Sequence, residues 1–161
     1  MSNPKYSWLP LALALGVVLA PAPATRAREH PKEPPFKFVG GTEVLSVGCE
    51  GKLELKAQQM VFRCSLGSVT IPYPSIHRME YRSDLSKDVR RMKIQWKVRP
   101  EIVRPLFGKK ENRYFTIVYG QHGPTEALVL KVSPDNMRPY LAEIDLKTGQ
   151  RVEVMGYEKY D

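Results

Sequence analysis

The stretch KLELKAQQMVFRCSLGSVTI, residues 52–71, decides the fold class because apolar and polar side chains alternate along most of it. Residues 52–57, 60–64 and 68–71 each show the period-two pattern that is typical of strands with one buried face. The apolar side of these strands carries Leu53, Leu55, Met60, Phe62, Cys64, Val69 and Ile71. We therefore expect three short antiparallel strands, the first two joined by a turn at residues 58–59.

Further strands are predicted on both sides of this stretch. Ordered structure begins near residues 38–44, and residues 76–81 form a fourth strand with Ile76 and Arg78 on the same face. Residues 82–91 are polar and read as a loop. Residues 92–98 alternate strictly, which predicts a strand with Met92, Ile94, Trp96 and Val98 inward and Lys93 and Lys97 outward. The remaining strands are expected at residues 114–119, 126–132 and 151–155.

One helix is indicated near the C-terminus. Its apolar stripe consists of Met137, Tyr140, Leu141 and Ile144, spaced i, i+3, i+4 and i+7. Asp135 or Asn136 is expected to cap its start and Gly149 to end it, with Lys147 in the last turn. Because proline is tolerated only within the first turn, Pro139 predicts a helix that begins at Asn136.

The N-terminus has the features of a secretory signal peptide. Lys5 precedes an apolar stretch at residues 9–20, and small residues suited to cleavage end at Ala24. A helix of this length, at about 1.5 Å per residue, is too short for a bilayer core of about 30 Å. The alternative, an uncleaved anchor, is disfavoured by Pro21 and Pro23, which interrupt the helix where an anchor would continue.

The rest of the chain divides into three parts. Residues 25–38 are rich in proline and charge, as in an extended linker. Residues 39–156 form the predicted domain, and residues 157–161 form a short tail. The protein is therefore expected to be exported, periplasmic or extracellular, after cleavage near Ala24.

Cys49 and Cys64 leave two interpretations open. Two cysteines in an exported chain ordinarily form a disulfide. A hairpin that turns at residues 58–59 places Leu53 opposite Cys64, which leaves Cys49 about 13 Å away, beyond the roughly 7 Å limit for a bridge. A disulfide therefore requires a bend or bulge at a neighbouring glycine; otherwise the two residues are buried free thiols.

Positive charge is concentrated in one segment. After removal of residues 1–24 the chain has 24 Lys and Arg against 17 Asp and Glu, and residues 82–113 alone carry 11 basic and four acidic residues. The candidate binding residues are Lys93, Lys97, Arg99, Lys109, Lys110 and Arg113, which we expect to converge at one end of the sheet. Such a surplus attracts anionic lipid, nucleic acid or acidic protein, and export excludes nucleic acid from the expected partners. Alternatively, these charges only keep the sheet soluble and discourage edge pairing.

Several segments together resemble a known fold family. They are residues 51–55, 61–62, 69–73, 109–110, 114–117, 141–144 and 147–149, in that order. Over residues 42–155 the chain resembles exported bacterial pleckstrin-homology-like (PH-like) proteins. The resemblance implies a mainly β fold, a partly open antiparallel barrel of about seven strands capped by one C-terminal α-helix, and a scaffold role rather than an activity. Phosphoinositide-binding PH domains use several cations around the first hairpin loop; here only Lys56 flanks that loop, so the headgroup site is not carried over.

Signatures of catalysis or metal binding do not stand out. His30, His77 and His122 are isolated, and no paired cysteine motif, nucleophile motif or glycine-rich phosphate loop is present in the sequence. We expect no cofactor and no metal, with a hydrolase of unfamiliar design as a remote alternative. The sequence thus predicts a non-enzymatic binding module of the cell envelope whose ligand is a protein or peptide. The alternative is a peripheral membrane protein whose basic face, residues 82–113, contacts anionic lipid headgroups.

Overall fold

The computed structural model describes residues 36–102, 113–121 and 123–155, in which eight strands form one sheet that is not closed. The strands are β1 Phe36–Gly41, β2 Glu50–Leu55, β3 Gln59–Cys64, β4 Gly67–Pro72, β5 Ile76–Arg82, β6 Tyr114–Tyr119, β7 Glu126–Val132 and β8 Glu153–Val154. Helix α1, Lys87–Arg91, follows β5, and helix α2, Pro134–Thr148, follows β7. The order across the sheet is β4-β3-β2-β1-β7-β6-β5-β8, antiparallel throughout except for the β5–β8 pair. The expected mainly β class with one main C-terminal helix is confirmed.

The β2–β3 hairpin turns one residue earlier than predicted. The Lys56 N–H donates to the Gln59 carbonyl, which closes a turn at residues 57–58, and Leu53 lies opposite Phe62. Moving the turn by one residue shifts the register by two, so every side chain keeps its face. The predicted inward residues of β2, β3 and β4 are therefore buried or half-buried as expected.

This register explains the disulfide between Cys49 and Cys64. Cys64 lies opposite Gly51, only two residues from Cys49, and the two cysteine Cα atoms are 6.0 Å apart. The longer separation expected from the sequence was wrong because it placed Leu53 opposite Cys64. The close approach of β2 to β3 at this point requires Gly51, because a Cβ atom there would lie 2.1 Å from the Arg63 carbonyl oxygen.

Strands β1 and β5 depart from the expectations in two places. β1 begins at Phe36, inside the segment predicted to be a linker, and Phe36 and Phe38 are both fully buried opposite β7. In β5 the register shifts between Ile76 and Arg78, so Ile76 joins the main core instead of sharing a face with Arg78. A period-two pattern predicts the faces of a strand only where the pleat is regular, so it cannot reveal such an irregularity.

Helix α2 packs on the main core through Met137 and Ile144, which are fully buried. It begins at Pro134, and the Ser133 hydroxyl accepts a hydrogen bond from the Asn136 N–H, so the predicted start at Asn136 was wrong. Proline suits the first helical position because its missing N–H would have no partner there. Pro139 then lies inside the helix, where it leaves the Asp135 carbonyl without its usual donor. Gly149 ends the helix in the left-handed conformation, as predicted.

Residues 83–102, which we call the strap, cover the opposite face of the sheet. The predicted loop contains helix α1, and the predicted strand at residues 92–98 is absent, although Val98 forms an isolated bridge with Gly41. Even-numbered side chains from 92 to 102 are buried or half-buried, while odd-numbered ones from 91 to 101 are exposed. The alternation correctly predicted which side is buried. The predicted strand was wrong because this segment packs on the face of a sheet instead of pairing with a strand edge.

Beneath the strap lies a second apolar cluster. It contains Leu85, Val89, Ile94, Tyr114, Val118, Ala127 and Val129, with Val39, Met92, Trp96 and Ile102 packed against it. Strands β6 and β7 are consequently covered on both faces, since their other side chains belong to the main core.

Candidate functional site

The strap is held at its start by helix α1 and by an ion-pair network around Arg78. The Ser86 hydroxyl caps α1 by accepting from the Val89 N–H, and the Val89 side chain is fully buried. On β5, Arg78 Nε lies 2.6 Å from an oxygen of Glu80, a residue with 0% exposure. The same guanidinium pairs with Asp88 of α1 at 3.2 Å and with Glu153 of β8 at 2.6 Å. One arginine therefore ties α1 and β8 to the sheet.

Electrostatics keep this arginine charged. Burial lowers the pKa of Arg78, but the hydrogen bond to Glu153 and the negative charge of Glu80 outweigh it, so the pKa is raised above its ordinary value. A charged guanidinium is what the buried Glu80 carboxylate requires as its counter-charge.

The other end of the strap passes close to two glycines in β1. Gly41 exchanges backbone hydrogen bonds with Val98, at 2.9 Å and 3.0 Å. A Cβ atom at Gly40 would lie only 2.7 Å from the Pro100 Cβ atom, closer than real Cβ atoms approach their neighbours. Gly40 therefore permits the close approach of the strap to β1, whereas a Cβ atom at Gly41 would lie 2.6 Å from the Ala127 carbonyl oxygen of β7.

Four cations form a row on the exposed side of the strap. This cation row consists of Arg91, Lys93, Lys97 and Arg99. Among the described residues, none of the four has a carboxylate within ion-pair distance. Two acidic residues of the strap are engaged elsewhere: Asp84 contacts Arg82 and Arg90, and Asp88 contacts Arg78. The third, Glu101, is exposed and forms no ion pair among the described residues, so the row is not neutralised by ion pairs within the strap.

A cavity of about 310 Å³ opens beside the row. It is lined by Leu85, Arg90, Trp96, Arg99, Pro100 and Ile102. Four of these residues are apolar and two are arginines, one of which belongs to the cation row, so polar and apolar atoms contribute about equally to its surface.

The six candidate binding residues do not share one surface. Lys93, Lys97 and Arg99 lie together on the strap, and Lys109 and Lys110 fall outside the described residues. Arg113 is only 2% exposed: its Nη1 atom donates to the Met155 carbonyl at 2.7 Å, and its guanidinium lies 5.5 Å from the centre of the Tyr81 ring. The structure does not place Arg113 on the surface, because it directly precedes β6, which is buried on both faces.

Two features of this site were missed by sequence reasoning. Arg91 extends the cation row, and its odd-numbered position was the available signal, because Lys93, Lys97 and Arg99 share that parity. The cavity had no sequence signal, since its walls come from both ends of the strap. Of the six residues expected to converge, Lys93, Lys97 and Arg99 lie on the strap over a face of the sheet, and the convergence with Lys109 and Lys110 stays a prediction.

Other kinds of site find little support in the described part of the chain. There, no three His, Cys, Asp or Glu side chains are grouped so that they could hold a metal ion, and His77 is exposed. Within the same residues, neither helix is long and apolar enough to cross a membrane. No protein-family model, curated protein or solved structure matches this chain.

Proposed function

We propose that this protein is an exported, non-enzymatic binding module of the bacterial cell envelope that takes an acidic protein segment on its cation row. The observation that carries the proposal is the row itself: four exposed cations without a carboxylate partner among the described residues, on a segment pinned to the sheet. A fixed line of unpaired cations attracts an acidic chain and favours one register of it. The backbone of the strap is already fixed on the sheet, so binding does not have to order it.

A PH-like architecture and export are part of the same proposal. Strands β1 to β7 precede helix α2, and the pairs that they form with one another are all antiparallel. This order agrees with the one that the resemblance implies. The eighth strand, β8, adds to β5 in parallel and would be a local extension of that plan. The Cys49–Cys64 disulfide is consistent with an oxidising compartment, as the signal-peptide pattern suggests.

The competing function is contact with anionic lipid headgroups. Cations near an anionic membrane each contribute about 1 kcal/mol, so the row would also bind such a surface. The cavity beside the row favours a protein ligand, because a side chain can pack against its apolar residues, whereas a headgroup contact driven by charge alone needs no such cavity.

The test compares two variants with the same loss of charge. In the first, Arg91, Lys93, Lys97 and Arg99 are replaced by Gln; in the control, the exposed Lys52, Arg63, Arg138 and Arg151 are replaced by Gln. Each protein is titrated with a fluorescently labelled glutamate hexapeptide across a salt series. It is also sedimented with phosphatidylglycerol-containing vesicles and with pure phosphatidylcholine vesicles.

We expect the row variant to bind the peptide at least about fourfold more weakly, since four exposed ion pairs contribute roughly 0.2–1 kcal/mol each. The control variant should lose much less. Equal losses in both variants would show that only net charge matters and would refute the proposal. Vesicle binding that depends on the row, without peptide binding, would establish the lipid function instead.

A further inference from the structure

The cavity has the size and lining of a site for one amino-acid side chain. Its volume of about 310 Å³ lies at the lower end of the range for ligand sites, about 300–1,000 Å³. Leu85, Trp96, Pro100 and Ile102 supply an apolar wall. Such a wall accommodates an aliphatic or aromatic group and rejects a strongly hydrated one.

The charges that line the cavity favour an anion. Arg99 has no carboxylate within ion-pair distance among the described residues, whereas Arg90 shares Asp84, at 3.5 Å, with Arg82. Arginine binds a carboxylate through two parallel hydrogen bonds, and an apolar wall nearby strengthens the attraction by lowering the local dielectric constant. Arg99 is therefore the group best placed to receive a carboxylate at the edge of the apolar wall.

We propose that this cavity takes the carboxyl-terminal residue of the protein ligand, with its apolar side chain against the wall and its α-carboxylate on Arg99. The inference rests on the proposed function, because it names the part of the ligand that enters the cavity. An internal Asp or Glu places its charge at the end of a short polar side chain, whereas a C-terminal Leu or Phe joins an apolar group and a carboxylate in one residue. Acidic residues before the terminus then lie along the cation row.

Trp96 allows the site to be observed directly. The chain contains two tryptophans, Trp8 and Trp96, so Trp8→Phe leaves the cavity tryptophan as the sole source of indole fluorescence. The full chain carrying this substitution is produced with residues 1–24 as its leader, so Trp96 is the sole tryptophan whether or not the leader is removed. It is titrated with acetyl-Glu-Glu-Gly-Leu bearing a free carboxylate, with the same peptide as its C-terminal amide, and with 4-methylpentanoate, a free acid of similar shape.

We expect the free-carboxylate peptide to change Trp96 emission and to bind at least about tenfold more tightly than the amide, as loss of a charge-assisted hydrogen bond implies. Arg99→Gln should abolish this preference while weakening the amide no more than the loss of one row cation does. Lys93→Gln, on the row but outside the cavity lining, should weaken both peptides equally. Lys52→Gln, an exposed charge on β2, should change neither.

The outcomes separate the two proposals. If Arg99→Gln and Lys93→Gln weaken both peptides alike, the cavity assignment fails while the cation row stands as the binding site. If neither peptide binds, both the cavity assignment and the proposed function are overturned. If 4-methylpentanoate binds as tightly as the peptide, the ligand is a small carboxylic acid, and the assignment to a protein terminus is wrong.

Discussion

The two halves of the sheet differ in how many of their faces are covered. In β4, the exposed Ser68, Thr70 and Pro72 alternate with the buried Val69 and Ile71, so one face meets solvent. In β6, all six residues are buried, because the strap covers the face that β4 leaves open. An antiparallel sheet commonly has one solvated face, so the exceptional half is the one beneath the strap.

This difference indicates that the two sides of the strap have different roles. Its even-numbered side chains complete a second apolar layer over β6 and β7, and its odd-numbered side chains carry the cation row. The residues that stabilise the fold and the proposed binding surface therefore lie on opposite sides of one extended segment. Substitutions beneath the strap, beside it and far from it should separate these two roles.

The largest effect is expected from Arg78→Ala. Removing the guanidinium leaves the fully buried Glu80 carboxylate without its counter-charge, which should lower the free energy of unfolding by roughly 3–5 kcal/mol. The matched control is Lys37→Ala, which removes a cation from the exposed Lys37–Glu50 pair and should cost at most about 1 kcal/mol. Urea denaturation measures both changes. Similar small losses would mean that Glu80 is not held as a charged group beneath the strap.

Breaking the disulfide tests the half of the sheet with one open face. Cys49 and Cys64 are separated by 15 residues, and a closed loop of this length stabilises the folded state by about 3 kcal/mol. The double substitution to Ala should lower the urea midpoint accordingly, and reduction of the native protein should give the same midpoint. Trp96 emission before unfolding should stay unchanged, because the strap lies over the other half. A shifted emission would instead show that the two halves are coupled.

Gly40→Ala should displace the strap, although it changes no residue of the strap. The new Cβ atom would overlap Pro100, and crowding of this kind typically costs about 1–3 kcal/mol. We expect lower stability together with a red shift of Trp96 emission, measured by denaturation and by fluorescence. Gly123→Ala is the control, since the nearest atom to its Cβ would be 3.6 Å away. No change for Gly40→Ala would show that the strap adapts to β1 without strain.

Much of the fold could be predicted from local patterns. Alternation in residues 52–71 gave the strands and their buried faces, and the apolar stripe around Met137 and Ile144 gave helix α2. The register of the first hairpin could not be fixed, because the turn at residues 57–58 contains neither Gly nor Asn. A one-residue error in the turn was enough to misplace Cys64 relative to Cys49.

The candidate site was harder to predict because it depends on tertiary contacts. Alternation placed Lys93, Lys97 and Arg99 on one exposed side, but it could not show that the segment covers a sheet face rather than extending the sheet. Arg113 was misplaced for the same reason. A charged residue beside a strand is expected to be exposed unless both faces of that strand are known to be covered. The sequence did not show which part of the protein packs against each buried side of these segments.

The smallest and most selective effect is expected from the two helix caps. Ser86 caps α1 within the strap and Ser133 caps α2 over the main core, and replacing either hydroxyl by Ala should cost about 1 kcal/mol. Only Ser86→Ala should change Trp96 emission and weaken binding of the glutamate hexapeptide, because only α1 anchors the segment that carries the cation row. Denaturation, fluorescence and peptide titration of both variants provide the comparison. If Ser133→Ala weakened peptide binding as much as Ser86→Ala, binding would depend on overall stability, and the division of roles between the two sides of the strap would be wrong.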